Sequence, residues 1–592
     1  MSPKNTNFKI SSIKRIRIWY GLLILVVAVF AIRLFYVQII KYSQYKNAAL
    51  TDQLKQYQIP ANRGLIEAED GNQVVPVVLN QTLYTLYANP QFIKKPDNIA
   101  TKIAGVIGGS TSTYSSEMVT PGKQYIILAK KLTQSQSNKI LSYKIPGIGT
   151  EAQDYRTYPE GSLASQVLGF VNNDGSGEYG VEQALNSELS GTPGQVKAIT
   201  DASGVPLAAT KGNVEKAPTN GKNVVLTINL GMQEQMEQIL ANEYKKTNSQ
   251  GLSAIIMNPN TGQVDAMANY PTYNPANYQS VTNPELYQNA AVTNDIEPGS
   301  TMKSLTVPAA LDQGVVQPNT TFYDPAHWVV DGFNITDIEQ DGGPRQQSIS
   351  SILSLSLNTG AVWLLMQMGG GQINQKGIEA WYNYMVNHYR LGQRTGIEQG
   401  YESPGYVPKP NISNPSIDLT YANSAFGQGV QLTALQLAAA DSAVLNGGTY
   451  YKPTLVDKVI SPDGQVTVNN PKVEGRDVVS PQVAKAMEPL LENVVTTYLG
   501  EGFGYMNFPS QYIVGGKTGT AQIAQPGGGY DPNTYNGTYV GFVGGNKPQY
   551  VIDVFNTKPN VPGYAGSYGG QPVFADLAHM LINEGYVSPK TN

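Results

Sequence analysis

The sequence predicts an α+β protein with one N-terminal transmembrane helix and two further domains. The chain has 592 residues, too many for one ordinary hydrophobic core. One long apolar run lies near the N-terminus, and the C-terminal half alternates short β-branched segments with amphipathic helical ones. Together these features predict an anchor, an irregular α+β region and a domain built on an antiparallel sheet.

The apolar run covers residues 18–40 and is interrupted only by Arg33 and Gln38. About 20 apolar residues suffice to cross the hydrocarbon core of a bilayer. The positive-inside rule predicts a cytoplasmic tail at 1–17, a transmembrane helix at 18–40 and an extracytoplasmic remainder. A cleaved signal peptide is the alternative, but no small-x-small site follows the run, which favours a retained single-pass anchor. The basic residues before the run are Lys4, Lys9, Lys14, Arg15 and Arg17.

Composition excludes several functional classes. The net charge of −4 leaves no basic excess for a nucleic-acid partner. The absence of cysteine removes disulfides, thiolate nucleophiles and Cys-based metal sites. The three histidines form no tight ligand motif, so a His-based metal centre is not expected.

Residues 41–222 are rich in turn signals and predict an irregular α+β domain that ends in a polar linker at 212–222. Residues 223–592 predict the second domain, whose antiparallel sheet takes strands from both ends of that segment and is packed by helices. The middle of this domain, about 275–510, predicts mostly helix and loop. The predicted elements are strands at 224–228, 252–257, 263–268, 539–543 and 550–555, with helices at 231–246 and 572–584.

The first motif with chemical meaning is Ser300-Thr-Met-Lys303, which follows Glu-Pro-Gly. Pro-Gly before Ser predicts a helix start, and residues three apart on a helix share one face. A serine hydroxyl needs an adjacent base to become a nucleophile, and a desolvated lysine can serve as that base. By itself the spacing is not specific, because Ser11/Lys14 and Ser43/Lys46 share it and are explained by solvated charge.

The second motif is Ser356-Leu-Asn358, which lies in an otherwise largely apolar run. Two polar side chains in such a run require hydrogen-bond partners if they are buried. A helix cap or an Asn-mediated turn explains the motif equally well when it is considered alone.

The third motif, Lys517-Thr-Gly-Thr520, follows a segment that predicts a strand with glycines open to close approach. Its lysine and hydroxyls could bind a peptide carboxylate while the strand pairs with the peptide main chain. An edge-strand lysine before a turn is the alternative. The Gly-, Pro- and Asn-rich run 525–537 after the motif predicts a loop beside the site, and its mobility is a hypothesis.

In this order the three motifs match those of penicillin-binding proteins and serine β-lactamases. The chain resembles class B penicillin-binding proteins from about residue 18 to 575. The motif Ala61-Asn-Arg-Gly64 resembles the family's first N-terminal motif, and three later ones resemble its other pedestal motifs. These are RTYP at 156–159, LGF at 168–170 and GVE at 180–182. The segments FGQG at 426–429 and LTALQ at 432–436 resemble the stretch between the second and third catalytic motifs.

The resemblance implies a pedestal or dimerisation-like domain at 41–222 and a transpeptidase domain at 223–592. It also implies that Ser300 is acylated by the penultimate D-alanine of a stem peptide and that Lys303 takes the serine proton. Ser356 would relay a proton to the leaving group, and Asn358 would position Lys303 and the substrate amide. The resemblance implies that no metal or cofactor is needed. The substrate or β-lactam carboxylate would be held by Lys517, Thr518 and Thr520 around Gly519, and the amides of Ser300 and Thr520 would form the oxyanion hole.

Two alternatives remain at this point. A D,D-carboxypeptidase or β-lactamase would let water resolve the acyl-enzyme, but the sequence offers no clear deacylating Glu. A non-enzymatic β-lactam-binding scaffold would be expected to lack the nucleophile, which is present. The resemblance further implies a role in peptidoglycan synthesis, division rather than elongation, and a SEDS-type glycan polymerase as membrane partner.

Overall fold

The computed structural model describes residues 9–45, 54–199, 214–337, 344–411, 413–525 and 529–591. The chain divides into two compact units, one of residues 1–61 with 191–220 and one of residues 62–190 with 221–592. The helices are α1 Lys9–Phe35, α2 Pro96–Ile107, α3 Thr111–Glu117, α4 Gln134–Ser142, α5 Ser165–Leu168, α6 Gly180–Ala184, α7 Asn186–Ser190, α8 Leu230–Thr247, α9 Ala290–Thr293, α10 Lys303–Asp312, α11 Ile349–Ser354, α12 Asn358–Met368, α13 Gln375–Asn383, α14 Ile417–Ser424, α15 Ala434–Leu445, α16 Pro481–Gly500 and α17 Gln571–Asn583.

In the part of the chain that the structure describes, the strands belong to three larger sheets and four two-stranded ribbons. They are β1 Leu54–Ile59, β2 Ile66–Asp70, β3 Gln73–Ala88, β4 Ile126–Leu132, β5 Ile148–Thr157, β6 Phe170–Val171, β7 Gly177–Glu178, β8 Gly194–Ile199, β9 Val214–Lys216, β10 Asn223–Asn229, β11 Gly251–Met257, β12 Val264–Tyr270, β13 Thr321–Asp324, β14 His327–Val330, β15 Phe333–Thr336, β16 Arg345–Ser348, β17 Tyr450–Tyr451, β18 Val456–Ile460, β19 Val466–Val468, β20 Val473–Gly475, β21 Ile513–Ala524, β22 Tyr530–Gly544 and β23 Pro548–Thr557.

The first unit contains α1, a π-helical turn at Tyr36–Ile40 and the three-stranded sheet β1-β8-β9. The segment Arg15–Ile40 is long and apolar enough to cross a membrane, and none of it is buried in the protein. Large side chains such as Leu23 and Phe30 are 60% and 66% exposed. This length, composition and exposure suggest a single-pass membrane anchor, as the sequence predicts.

The second unit is centred on an antiparallel five-stranded sheet in the order β12-β11-β23-β22-β21. Its strands come from both ends of the C-terminal half, as predicted. The helices α8 and α17 pack against each other and against this sheet, while α15 packs against β11 and β23 and also contacts α10. Because β21 is the last strand of the sheet, its outer edge has no strand partner in the described part of the chain.

The run at 525–537, predicted as a loop, is largely strand. β22 begins at Tyr530, and Ala524 pairs with Tyr530 across the hairpin. The prediction was wrong for residues 530–537 because cross-strand pairing along β21 extends the hairpin beyond the sheet. Residues 526–528 lie outside the described ones.

A second sheet runs in the order β19-β18-β10-β2-β3-β4, with β5 also paired to β3. β10 lies parallel to β2 and antiparallel to β18. The sheet therefore contains strands from both sides of the boundary predicted at 222/223. A separate small core lies under β3 and β4, where it includes Leu86, Ile103, Leu128 and Ile140.

Three of the N-terminal motifs meet in a buried ionic cluster. Glu182 is fully buried, accepting from Arg63 Nε at 2.7 Å and from Arg156 Nε at 2.9 Å. The two arginines also donate to Asn186 and Asn80, each at 2.8 Å. Burial lowers the pKa of Arg63 and Glu182 opposes that shift. One carboxylate therefore joins segments more than 100 residues apart in sequence.

Candidate active site

Ser300 lies in a 3-10 turn, Gly299–Met302, that leads directly into α10. The predicted helix start is therefore a tighter turn than an α-helix, and Lys303 is the first residue of the α-helix itself. Gly299 has φ +60° and donates its N–H to Gly427 O at 3.0 Å. This left-handed conformation is accessible to glycine at little cost and fixes the direction in which Ser300 leaves the turn.

Lys303 is completely buried beneath Ser300. Its Nζ lies 2.8 Å from Ser300 Oγ, 2.6 Å from the carbonyl oxygen of Ser356, 3.3 Å from Ser356 Oγ and 2.8 Å from Asn358 Oδ1. The first two motifs therefore converge on one nitrogen atom, although Lys303 and Ser356 are 53 residues apart.

Ser356 and Asn358 lie where α11 ends and α12 begins. Ser356 has φ +58°, a conformation uncommon for a non-glycine residue, which turns the chain sharply before Asn358. The amide of Asn358 is satisfied at both ends, because Nδ2 also donates to Thr336 O at 3.0 Å. Asp337 accepts from the N–H of Thr359 at 2.9 Å, and burial raises the pKa of Asp337. The end of the β14–β15 ribbon thus holds the start of α12.

The third motif lies on the edge strand β21. Lys517 is fully buried, and its Nζ donates to the carbonyl oxygen of Thr518 at 3.1 Å and to Thr518 Oγ1 at 3.2 Å. Thr518 Oγ1 is also hydrogen-bonded to the hydroxyl of Tyr498 at 2.7 Å. Sequence reasoning missed Tyr498, since nothing distinguishes it from the other tyrosines of a chain that has 37.

The nucleophile turn and β21 approach each other through two glycines. A Cβ at Gly299 would lie 2.7 Å from Thr520 O, and one at Gly519 would lie 2.4 Å from Pro298 O. Thr538 Oγ1, on the neighbouring strand, donates to the same Pro298 carbonyl at 2.8 Å. The first and third motifs are therefore in contact only because neither glycine carries a side chain.

Glu297 is a further residue that the sequence did not identify. Its Oε1 accepts from Gly429 N at 2.8 Å and from the Tyr530 hydroxyl at 3.0 Å. Burial raises the pKa of Glu297, and these two hydrogen bonds oppose that increase. The carboxyl group joins the nucleophile turn, the FGQG segment and the β21–β22 hairpin.

A groove of about 790 Å³ opens over Ser300. Of the predicted site residues, Ser300, Ser356, Asn358, Thr518 and Thr520 line it. Lys303 and Lys517 lie buried behind this lining. Among the described residues, no group of three or more His, Cys, Asp or Glu could hold a metal ion. Other lining residues include Asn334, Thr336, Gln428, Tyr498, Glu501, Phe503, Gln522, Tyr535, Tyr564 and Tyr568.

Comparison with known proteins identifies the family. The Penicillin binding protein transpeptidase domain matches residues 252–579, and the Penicillin-binding Protein dimerisation domain matches residues 58–226. Stage V sporulation protein D of Bacillus subtilis (strain 168) is 30% identical over 571 residues, which are 95% of this chain and 84% of that relative. Peptidoglycan D,D-transpeptidase FtsI of Escherichia coli (strain K12) is 25% identical over 575 residues, covering 96% and 91% of the two chains.

Among solved structures, penicillin binding protein 3 of Mycobacterium tuberculosis in complex with aztreonam superposes with a TM-score of 0.67. It is 25% identical and the match covers 90% of this chain and 98% of that one. The matched regions contain all three motifs of the candidate site and the N-terminal motifs that meet at Glu182. The chain belongs to the class B penicillin-binding proteins.

Proposed function

We propose that this chain is a peptidoglycan D,D-transpeptidase that cross-links stem peptides through an acyl-enzyme on Ser300. The observation that carries the proposal is the position of Lys303 Nζ, 2.8 Å from Ser300 Oγ and fully withdrawn from solvent. Burial disfavours the charged form of a lysine, and a neutral amine beside a hydroxyl is a general base.

The contacts of Lys303 suit the neutral amine. The carbonyl oxygen of Ser356 and Oδ1 of Asn358 can only accept, so they take the two N–H groups of the amine. The remaining lone pair is then available for the hydroxyl hydrogen of Ser300. The two acceptors therefore orient the base as well as binding it.

In acylation, Ser300 Oγ attacks the carbonyl carbon of the penultimate D-alanine while its proton passes to Lys303. Collapse of the tetrahedral intermediate breaks the C–N bond to the terminal D-alanine. The leaving amine takes the proton back from Lys303 through the hydroxyl of Ser356, which lies 3.3 Å from Nζ. The acyl group is then an ester of Ser300, and free D-alanine departs.

Substrate binding is assigned to β21. The hydroxyls of Thr518 and Thr520 line the groove, where they would bind the terminal carboxylate, with the charge of Lys517 directly behind them. The amides of Ser300 and Thr520 would stabilise the oxyanion. The approach of Gly299 to Thr520 supports this pairing, because it holds the two backbones together.

An amine of a second stem peptide then attacks the ester carbonyl and loses a proton to Lys303. The bond from the carbonyl carbon to Ser300 Oγ breaks, and Lys303 returns the proton to the serine oxygen, 2.8 Å away. A β-lactam would acylate the same serine but would leave no departing group to make room for the amine.

We propose residues 1–17 as cytoplasmic, 18–40 as the anchor, 41–222 as the pedestal and 223–592 as the transpeptidase domain outside the membrane. We also propose a SEDS-type glycan polymerase as membrane partner and a role at division, which the similarity to FtsI supports.

Labelling of the full chain in detergent with a fluorescent penicillin tests the proposal. The wild-type protein should be labelled covalently and Ser300→Ala should not. Ser354→Ala removes another hydroxyl of the groove and should still be labelled. Mass spectrometry after addition of a D-Ala-D-Ala donor and an amine acceptor should detect the cross-linked product. Labelling of Ser300→Ala, or release of the hydrolysed donor alone, would contradict the proposal.

A further inference from the structure

One carboxylate of the groove takes no part in the proposed chemistry. Glu501 lies at the C-terminal end of α16, where its backbone N–H donates to Thr497 O at 3.0 Å. Its side chain is exposed and lines the groove. Within the described residues, no cation pairs with it and no side chain donates to it. Among the described residues that line the groove, it is also the only one with a formal charge.

The position of Glu501 is electrostatically unfavourable in the free protein. The C-terminal end of a helix carries a partial negative charge, so a carboxylate there repels the last carbonyl groups. Partial burial also raises the pKa of Glu501, since the groove removes some of its water. Both effects would be relieved by a cation bound in the groove.

Three aromatic rings line the same groove as this carboxylate. Phe503 lies edge-on to Tyr498 and to Tyr568, with centroids 5.5 Å apart in each pair, and all three rings line the groove. The faces of such rings attract cations. An acid at a helix C-terminus beside several rings is therefore a site suited to an organic cation.

The helix also places Glu501 beside the proposed substrate strand. Tyr498 lies three residues earlier on α16, on the same side of the helix as Glu501, and its hydroxyl is 2.7 Å from Thr518 Oγ1. A peptide lying along β21 would therefore extend past this residue. The helix α16 and the strand are held together by the same hydrogen bond.

We propose that Glu501 is a specificity-determining residue that binds a primary alkylammonium group of a stem peptide. The substrate class is a stem peptide with a diamino acid whose side-chain amine is free. This inference rests on the proposed transpeptidase function, since it names the substrate of the same groove. The ammonium could belong to the donor or to the acceptor peptide, which share this chemistry.

The test compares two D-Ala-D-Ala donors, one with lysine at the third position and one with Nε-acetyl-lysine. In the wild-type full chain, kcat/KM for the lysine donor should exceed that for the acetylated donor by roughly three- to tenfold, the range of an exposed ion pair with a cation–π contribution. In Glu501→Gln this ratio should fall to near one through a rise in KM, and added salt should reduce it in the wild type.

Glu584→Gln is the matched control. Glu584 also follows the C-terminal end of a helix, α17, but does not line the groove. Its replacement should leave the ratio at the wild-type value. If the donors do not differ but KM for a lysine-containing acceptor rises in Glu501→Gln alone, the bound ammonium is that of the acceptor.

The inference would be overturned by two results together. The wild type would turn over both donors equally, and the KM for the acceptor in Glu501→Gln would equal that of the wild type. That result leaves the proposed function intact, because turnover of the acetylated donor by the wild type demonstrates it separately. Absence of any donor turnover by the wild type would instead count against the proposed function.

Discussion

The Nζ atom of Lys303 lies 2.8 Å from the hydroxyl oxygen of Ser300, and the lysine side chain is fully buried. No other side-chain nitrogen is hydrogen-bonded to this hydroxyl among the described residues. The proposed proton transfer therefore depends on one lysine, on its burial and on the two carbonyl oxygens that orient it.

Replacing Lys303 with alanine should slow acylation by fluorescent penicillin by roughly 10²- to 10⁴-fold, the usual contribution of a general base. The rate is measured by quenching the labelling reaction at successive times, and circular dichroism checks the fold. Lys452→Ala, which removes a lysine that is 25% exposed and paired with Glu398, is the control and should label normally. Near-normal acylation of Lys303→Ala would remove the lysine from the mechanism.

Asn358→Asp should shift the pH dependence of acylation. The new carboxylate would replace Oδ1, which lies 2.8 Å from Lys303 Nζ. An adjacent negative charge favours the ammonium form, so a higher pH is needed to generate the neutral base. The acidic limb of the pH–rate profile should move to higher pH and the rate at neutral pH should fall. A profile that coincides with that of the wild type would disprove this role for Asn358.

Gly299→Ala should impair acylation and lower the thermal unfolding midpoint. The added Cβ would lie 2.7 Å from Thr520 O, and the residue has φ +60°. Gly314→Ala is a matched control, because Gly314 has φ +68° but an added Cβ meets nothing within 4 Å. The control carries the conformational strain alone, which costs of order 1 kcal/mol. Equal acylation rates in the two variants would show that the contact with Thr520 is not required.

Asp441 should make stability depend on pH. It is fully buried beside Asp553 and Ser304, and burial raises its pKa to about 7. The unfolded chain loses this proton near pH 4, whereas the folded chain keeps it until about pH 7. Stability from this group is therefore complete below the unfolded pKa and is lost as the pH rises to the folded pKa.

The thermal unfolding midpoint of the wild type should accordingly fall between about pH 4 and pH 7. Asp441→Asn cannot ionise and should show a smaller fall, with the remainder due to Asp553, whose pKa is also raised by burial. Asp463→Asn removes an exposed aspartate and should retain the wild-type dependence. An identical slope in Asp441→Asn and the wild type would refute the assignment.

Much of the fold could be predicted because it is encoded in local patterns. The helical spacing of apolar residues located α8 and α17 to within a residue or two, and β-branched segments located β10, β11, β22 and β23. The extension of β22 through Asp531 and Pro532 could not be predicted, since turn-forming residues there are overridden by pairing with β21. The stabilisation that a strand gains from pairing with another strand depends on the partner, so the strand's own residues do not reveal it.

The sequence by itself determined the long apolar N-terminal helix, the antiparallel sheet of the C-terminal half and the order of the three motifs, because each depends on residue type and short-range spacing. Only the tertiary structure decided that Lys303 Nζ meets Ser356 and Asn358, that Glu182 joins Arg63 and Arg156, and that Glu501 faces the groove. Such relationships follow from how helices pack on a sheet, which fixes distances between residues that are far apart along the chain.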